Sequence, residues 1–104
     1  MTLQEIRTLL AGVDPEIRHY YSEGTGADYT YWEETRRLPF MADDRYAEEA
    51  WRFYVHRYTR SGTDQIANAL FDALDQDPRV AVGYSIDYDP QSGYIHHIYE
   101  CECI

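Results

Sequence analysis

Lysine is absent from this chain of 104 residues, and its nine basic residues are all arginines. They are outnumbered by 19 acidic residues, which give a formal net charge of −10 at pH 7. An electric field of this sign repels phosphate backbones and anionic lipid headgroups, so it argues against nucleic-acid binding and against a membrane surface. We therefore expect protein partners that are basic, or neutral and bound by packing.

Long hydrophobic runs and cysteines are also scarce. No segment approaches the roughly 18–20 apolar residues that a membrane-spanning helix needs, and polar residues interrupt the apolar ones near Met1, unlike a signal peptide. The two cysteines, Cys101 and Cys103, are too close in sequence for an easy disulfide, so we expect reduced thiols. These features predict a protein made and kept in a cytosol-like compartment.

The recognisable motifs of catalysis are missing as well. The sequence contains no glycine-rich phosphate loop, no nucleophile elbow and no histidine-containing metalloprotease motif. A chain of this size buries only about 60–68% of its unfolded surface, which leaves little room for a deep cofactor cavity. We expect one domain spanning residues 1–104, with no catalytic residue and no cofactor, that acts as a binding or assembly module.

Four residues near the end of the chain belong to types that bind metals: His96, His97, Cys101 and Cys103. On an extended strand His97, Cys101 and Cys103 point one way and His96 points the other, so at most three ligands converge. The favoured interpretation is that His97, Tyr99 and Cys101 pack on a half-buried face, with no metal bound. A small zinc-dependent enzyme or sensor remains an alternative.

Two segments have the spacing of helices. Thr2-Leu3-Gln4-Glu5 matches the capping box, and apolar residues then recur at helical spacing. A second helix is predicted from about Thr63 to Leu74, where apolar side chains again repeat with helical period.

Five segments have the composition or alternation of strands. They are Ile17–Tyr21, Asp28–Arg36, Ala50–Arg60, Val80–Asp89 and Tyr94–Cys103. We expect the first two to pair through a turn and the last two to form a hairpin. The predicted fold class is α+β, a single antiparallel or mixed sheet of four to five strands with two helices on one face, in the order α-β-β-β-α-β-β. The predicted core is Ile6, Leu10, Trp51, Phe53, Val55, Ile66, Leu70, Phe71, Val82, Tyr84 and Ile86.

The chain is rich in tyrosine, with 11 residues, and tyrosine and arginine are both enriched at protein interfaces. The strand Ala50–Arg60 places several of them on one face, opposite its apolar side chains. The alternative is that the tyrosines simply cover a small core. The predicted interface consists of Arg52, Tyr54, His56, Tyr58 and Arg60 on this strand, with Asp43, Asp44 and Arg45 in the preceding polar loop.

Three stretches together carry a resemblance to a known family: YTYWEETRRLPFMADDRYAEEAWRFYVHRYT (Tyr29–Thr59), IANALFDAL and YSIDYDPQSGYIHHIYECE. Over roughly Tyr20 to Glu102 the chain resembles the tail completion or tail terminator proteins of bacteriophages and prophages. The resemblance implies a non-enzymatic virion protein of the tail or head–tail junction. Such a protein assembles into a ring, often a hexamer, and contacts tail-tube and head-connector proteins after synthesis in the bacterial cytoplasm.

Charge is divided unevenly along the chain. Up to Arg60 there are 11 acidic residues and eight arginines (net −3), whereas the remainder has eight acidic residues and only Arg79 (net −7). A ring repeats one interface between two different surfaces, and this division offers two surfaces that complement each other. The alternative is an acidic binding protein, such as a DNA-mimicking inhibitor of a basic host protein, which would not self-assemble.

Overall fold

The computed structural model describes residues 1–20, 27–39 and 49–104. Together they confirm the predicted α+β fold class and its order of elements. The predicted loop residues Asp43, Asp44 and Arg45 lie outside the described residues. The elements are α1 (Leu3–Ala11), β1 (Arg18–His19), β2 (Tyr29–Leu38), β3 (Ala50–Thr59), α2 (Gln65–Gln76), β4 (Val80–Tyr88) and β5 (Ile95–Cys103).

The five strands form one mixed sheet in the order β1-β2-β3-β5-β4. All neighbours are antiparallel except β1 and β2, which are parallel. The first two strands therefore pair as expected, but they do not form a hairpin. Arg18 pairs with Tyr31 and His19 with Trp32, so residue numbers rise together in both strands, whereas they run in opposite directions in a hairpin.

Both helices begin at side-chain caps. The Thr2 hydroxyl accepts a hydrogen bond from the Glu5 amide and completes the predicted capping box. Helix α2 begins two residues later than expected, because the Asp64 carboxylate accepts a hydrogen bond from the Ala67 amide and so caps the helix.

The core lies between the two helices and one face of the sheet. Five of the predicted core residues are fully buried there, and Trp51, Ile66, Phe71 and Val82 pack around them half-buried. Trp32, Leu74 and Tyr99 are equally buried, although the predicted core did not include them. The five confirmed residues are Ile6, Leu10, Phe53, Val55 and Leu70.

Two predicted core residues are exposed. Tyr84 retains 40% of its accessible surface and Ile86 retains 58%. Both lie on β4, the strand at the edge of the sheet, and their side of the strand does face the helices. Phe71 of α2 contacts the Tyr84 ring at 5.6 Å. Alternation thus predicted the correct side of the strand, but not whether a helix covers it.

A buried ion pair joins the sheet to the start of α2. Arg57 on β3 is 5% exposed, and its Nε donates to Asp64 Oδ2 at 2.8 Å. Its Nη1 also donates to Thr30 Oγ1 on β2 at 3.2 Å. Burial opposes ionisation of Asp64, but hydrogen bonds from Arg57 and the Ala67 amide hold the pKa of this carboxyl below its ordinary value. One carboxylate therefore both caps α2 and neutralises Arg57.

We predict that Asp64→Ala lowers the free energy of unfolding by about 3 kcal/mol, because it removes the cap and leaves buried Arg57 with only the more distant carboxylate of Asp28, 3.9 Å away. Asp64→Asn should lose less, since its amide oxygen still caps the helix. Urea unfolding at neutral pH measures both. The control is Asp72→Ala at an exposed position of the same helix. Equal losses for Asp64→Ala and Asp72→Ala would contradict the role of the pair.

Candidate functional site

The second face of the sheet has no described helix packed on it. Residues paired across neighbouring strands point to the same side, so the register identifies which side chains share this face. We call it the open face. It consists of Tyr29, Tyr31, Glu33, Arg36 and Leu38 of β2, Ala50, Arg52, Tyr54, His56 and Tyr58 of β3, His96, Ile98, Glu100 and Glu102 of β5, and Ala81, Gly83, Ser85 and Asp87 of β4.

Five stacked rings lie together at the end of the open face where β2 and β5 begin and β3 ends, and we call them the aromatic cluster: Tyr29, Tyr31, His56, Tyr58 and His96. Ring centroids are 4.7 Å apart for Tyr29 and Tyr58, and 4.1 Å apart for Tyr58 and His96. Tyr31 stacks on His56 at 4.5 Å. Because the rings already pack on one another, they lose little conformational freedom when a partner covers them.

Hydrogen bonds to carboxylates lie on the open face toward the other end of β3 and β5. Arg52 Nη2 donates to Glu102 Oε1 at 2.6 Å, and the Tyr54 hydroxyl donates to Glu100 Oε1 at 3.2 Å. These contacts join β3 to β5 across the open face. The face therefore has aromatic rings at one end and paired charged groups at the other, and both kinds of residue occur at protein interfaces.

Two histidines meet within the cluster. His56 Nδ1 lies 2.8 Å from His96 Nε2, and His56 Nε2 lies 3.4 Å from Glu33 Oε1. Burial lowers the pKa of His56, and burial together with the neighbouring His56 lowers the pKa of His96 to about 4, although Asp87 opposes this shift. Both rings are therefore neutral at pH 7, so one ring nitrogen donates a hydrogen bond to the other.

Four of the predicted interface residues are brought together on the open face: Arg52, Tyr54, His56 and Tyr58. Arg60 follows the end of β3, and its guanidinium lies 4.3 Å from the centroid of the Tyr94 ring, at the margin of the cluster. Sequence reasoning missed Tyr29, Tyr31 and His96. Alternation within their own strands was a usable signal, but it needed the strand register to show that they adjoin β3.

Three residues could converge in the zinc alternative, and they lie on the face that the helices cover: His97, Cys101 and Cys103. Cys101 and Cys103 are buried as free thiols, and burial raises the pKa of both. His97 Nδ1 lies 2.6 Å from the Tyr84 hydroxyl. Within residues 1–20, 27–39 and 49–104, no three His, Cys, Asp or Glu side chains are placed to hold a metal ion.

Comparisons with other proteins add no assignment. A scan against known protein families finds no match for this chain, and a search of curated proteins finds none either. In the part of the chain that the structure describes, neither helix has the length and apolar character needed to cross a membrane. The chemistry of the open face is therefore the main guide to function.

We predict that the free energy of unfolding depends less on pH in His96→Gln than in the wild type. Between about pH 6.5 and pH 4 the unfolded chain binds a proton that folded His96 refuses, so the free energy of unfolding falls as the pH falls through this window. Urea unfolding at several pH values measures the slope, which should be smaller for His96→Gln. Equal slopes for the wild type and His96→Gln would contradict the prediction.

Proposed function

We propose that this protein is a non-enzymatic assembly protein that binds other protein subunits through its open face. The observation that carries the proposal is the aromatic cluster, five stacked rings on a face with no described helix over it. Tyrosine and arginine are the residue types that contribute most at protein interfaces. The neutral histidine pair adds polar groups that are less costly to bury than charged ones.

More specifically, we propose that the protein is a structural protein of the tail or head–tail junction of a bacteriophage or prophage. In this role it is a tail terminator or tail completion protein that forms a ring. Its partners would be copies of itself, the tail tube and the head connector, and its location would be the virion. The family resemblance supports this role, and so does the charge distribution. Exposed Arg18, Arg36 and Arg37 lie on β1 and β2, whereas exposed Asp87 and Glu100 lie on β4 and β5. Such opposed surfaces suit the repeated interface of a ring.

An acidic inhibitor that mimics DNA is the second candidate. The segment Val80–Cys103 contains four carboxylates and no arginine. However, Arg52 already binds Glu102, and the Tyr54 hydroxyl donates to Glu100. A DNA mimic needs a row of unpaired carboxylates, and Glu100 and Glu102 are already hydrogen-bonded. The open face therefore favours the assembly role.

The experiment is the mass in solution, measured by light scattering over a range of protein and salt concentrations. We expect a multimer that weakens as salt rises. Arg52→Glu should weaken it, because the change breaks the contact of Arg52 with Glu102 and reverses a charge on the open face. Arg7→Glu makes the same charge change at an exposed position of α1 and should leave the multimer intact.

A chain that stays monomeric at every concentration would contradict assembly in solution. Equal effects of Arg52→Glu and Arg7→Glu would show that net charge alone, not the open face, controls association. Salt-sensitive binding to a basic protein without any self-association would instead favour the inhibitor.

A further inference from the structure

The outer edge of β4 is a long strand edge with no described strand beside it. β4 pairs with β5 through an unbroken register from Val80 to Tyr88 and lies last in the sheet order. Proteins usually protect such edges with lysine, proline, a bulge or a very short strand. β4 has nine residues, contains neither lysine nor proline, and carries one charge, Asp87. Its outward backbone groups are therefore available to another strand.

Apolar side chains accompany this backbone edge. Tyr84, Ile86 and Tyr88 are 40%, 58% and 59% exposed, and they occupy successive positions on the same side of β4. The other side of the strand carries small Gly83 and Ser85, which leave room for an approaching backbone. An added strand would bury the three large side chains against its own alternate residues.

Charge indicates what kind of strand fits. Asp87 is on β4, Asp89 follows it, and Glu100 is on β5, whereas the whole segment Val80–Cys103 contains no arginine or lysine. A second copy of β4 has no basic residue to offer these carboxylates, and in a parallel pairing it would place its own Asp87 beside them, which is unfavourable. A strand with arginine or lysine between its apolar residues would pair with them instead.

We propose that the β4 edge binds an extended, basic segment of another protein, which joins the sheet as a sixth strand. Backbone hydrogen bonds supply the affinity in this mode of recognition, and alternate side chains supply the specificity. The apolar residues of the segment lie against Tyr84, Ile86 and Tyr88, and its basic residues lie beside Asp87. Asp87 also belongs to the open face, where it pairs with His96, but the backbone edge and the side chains of Tyr84, Ile86 and Tyr88 do not, so the inference does not depend on ring assembly through the open face.

The first test is a titration of the protein with a synthetic peptide of the length of β4 that alternates valine with lysine and arginine. Calorimetry should show saturable one-to-one binding, and a peptide with glutamate at the basic positions should not bind. Two further peptides, N-methylated at the valines or at the basic residues, keep every charge but block opposite edges of the strand. Strand addition predicts that only one of them binds. Equal binding by both would mean that charge attraction alone holds the peptide, and would overturn the proposal.

The second test uses two protein variants with the same change of charge. Ile86→Lys puts an ammonium group in the middle of the edge and should abolish peptide binding. Ile104→Lys alters an isoleucine that is 55% exposed outside β4 and should leave binding intact. Circular dichroism confirms that both variants fold, which exposed positions should permit.

Each remaining outcome is decisive. Equal loss of binding in both variants would overturn the edge as the site. A wild-type dimer that only Ile86→Lys dissolves would show that a second copy, not a basic segment, occupies the edge. A multimer formed through the open face should survive Ile86→Lys, because Ile86 lies on the other side of β4, and this separates the proposal from the role of the open face.

Discussion

The arrangement of the molecule depends on the buried pair of Arg57 and Asp64. Arg57 lies on the central strand β3, and Asp64 caps the helix that leads from β3 to β4. A buried charge without its partner is strongly destabilising, so the pair fixes where α2 begins on the sheet. Thr30 extends the contact to β2. With α2 held on this face beside α1, the opposite face carries no described helix.

The two faces of the sheet differ in physical character because of this arrangement. The covered face contains the apolar core, where Phe53, Val55 and Tyr99 are fully buried. The open face contains rings that stack on one another and histidines that stay neutral at pH 7. Stacked rings and neutral polar groups reduce the cost of excluding water from a surface, and this is why we assign protein binding to the open face.

The proposed peptide site has a different physical basis. At the β4 edge the recognising groups are mainly backbone amides and carbonyls, which any extended segment can satisfy, and neighbouring carboxylates select for basic residues. On the open face the recognising groups are side chains in a fixed arrangement. The two proposed sites therefore recognise different kinds of partner.

Local pattern in the sequence determined the elements and their order. The capping box began α1, apolar spacing indicated α2, and alternation identified the two sides of β3, including Arg52, Tyr54, His56 and Tyr58. These signals are contained within a few neighbouring residues, so they are readable without a structure. Only the tertiary structure decided the parallel pairing of β1 with β2 and the edge position of β4 that exposes Ile86. It also decided the contact between His56 and His96, which are 40 residues apart. Strand order and register arise from contacts between distant segments, and no local periodicity encodes them.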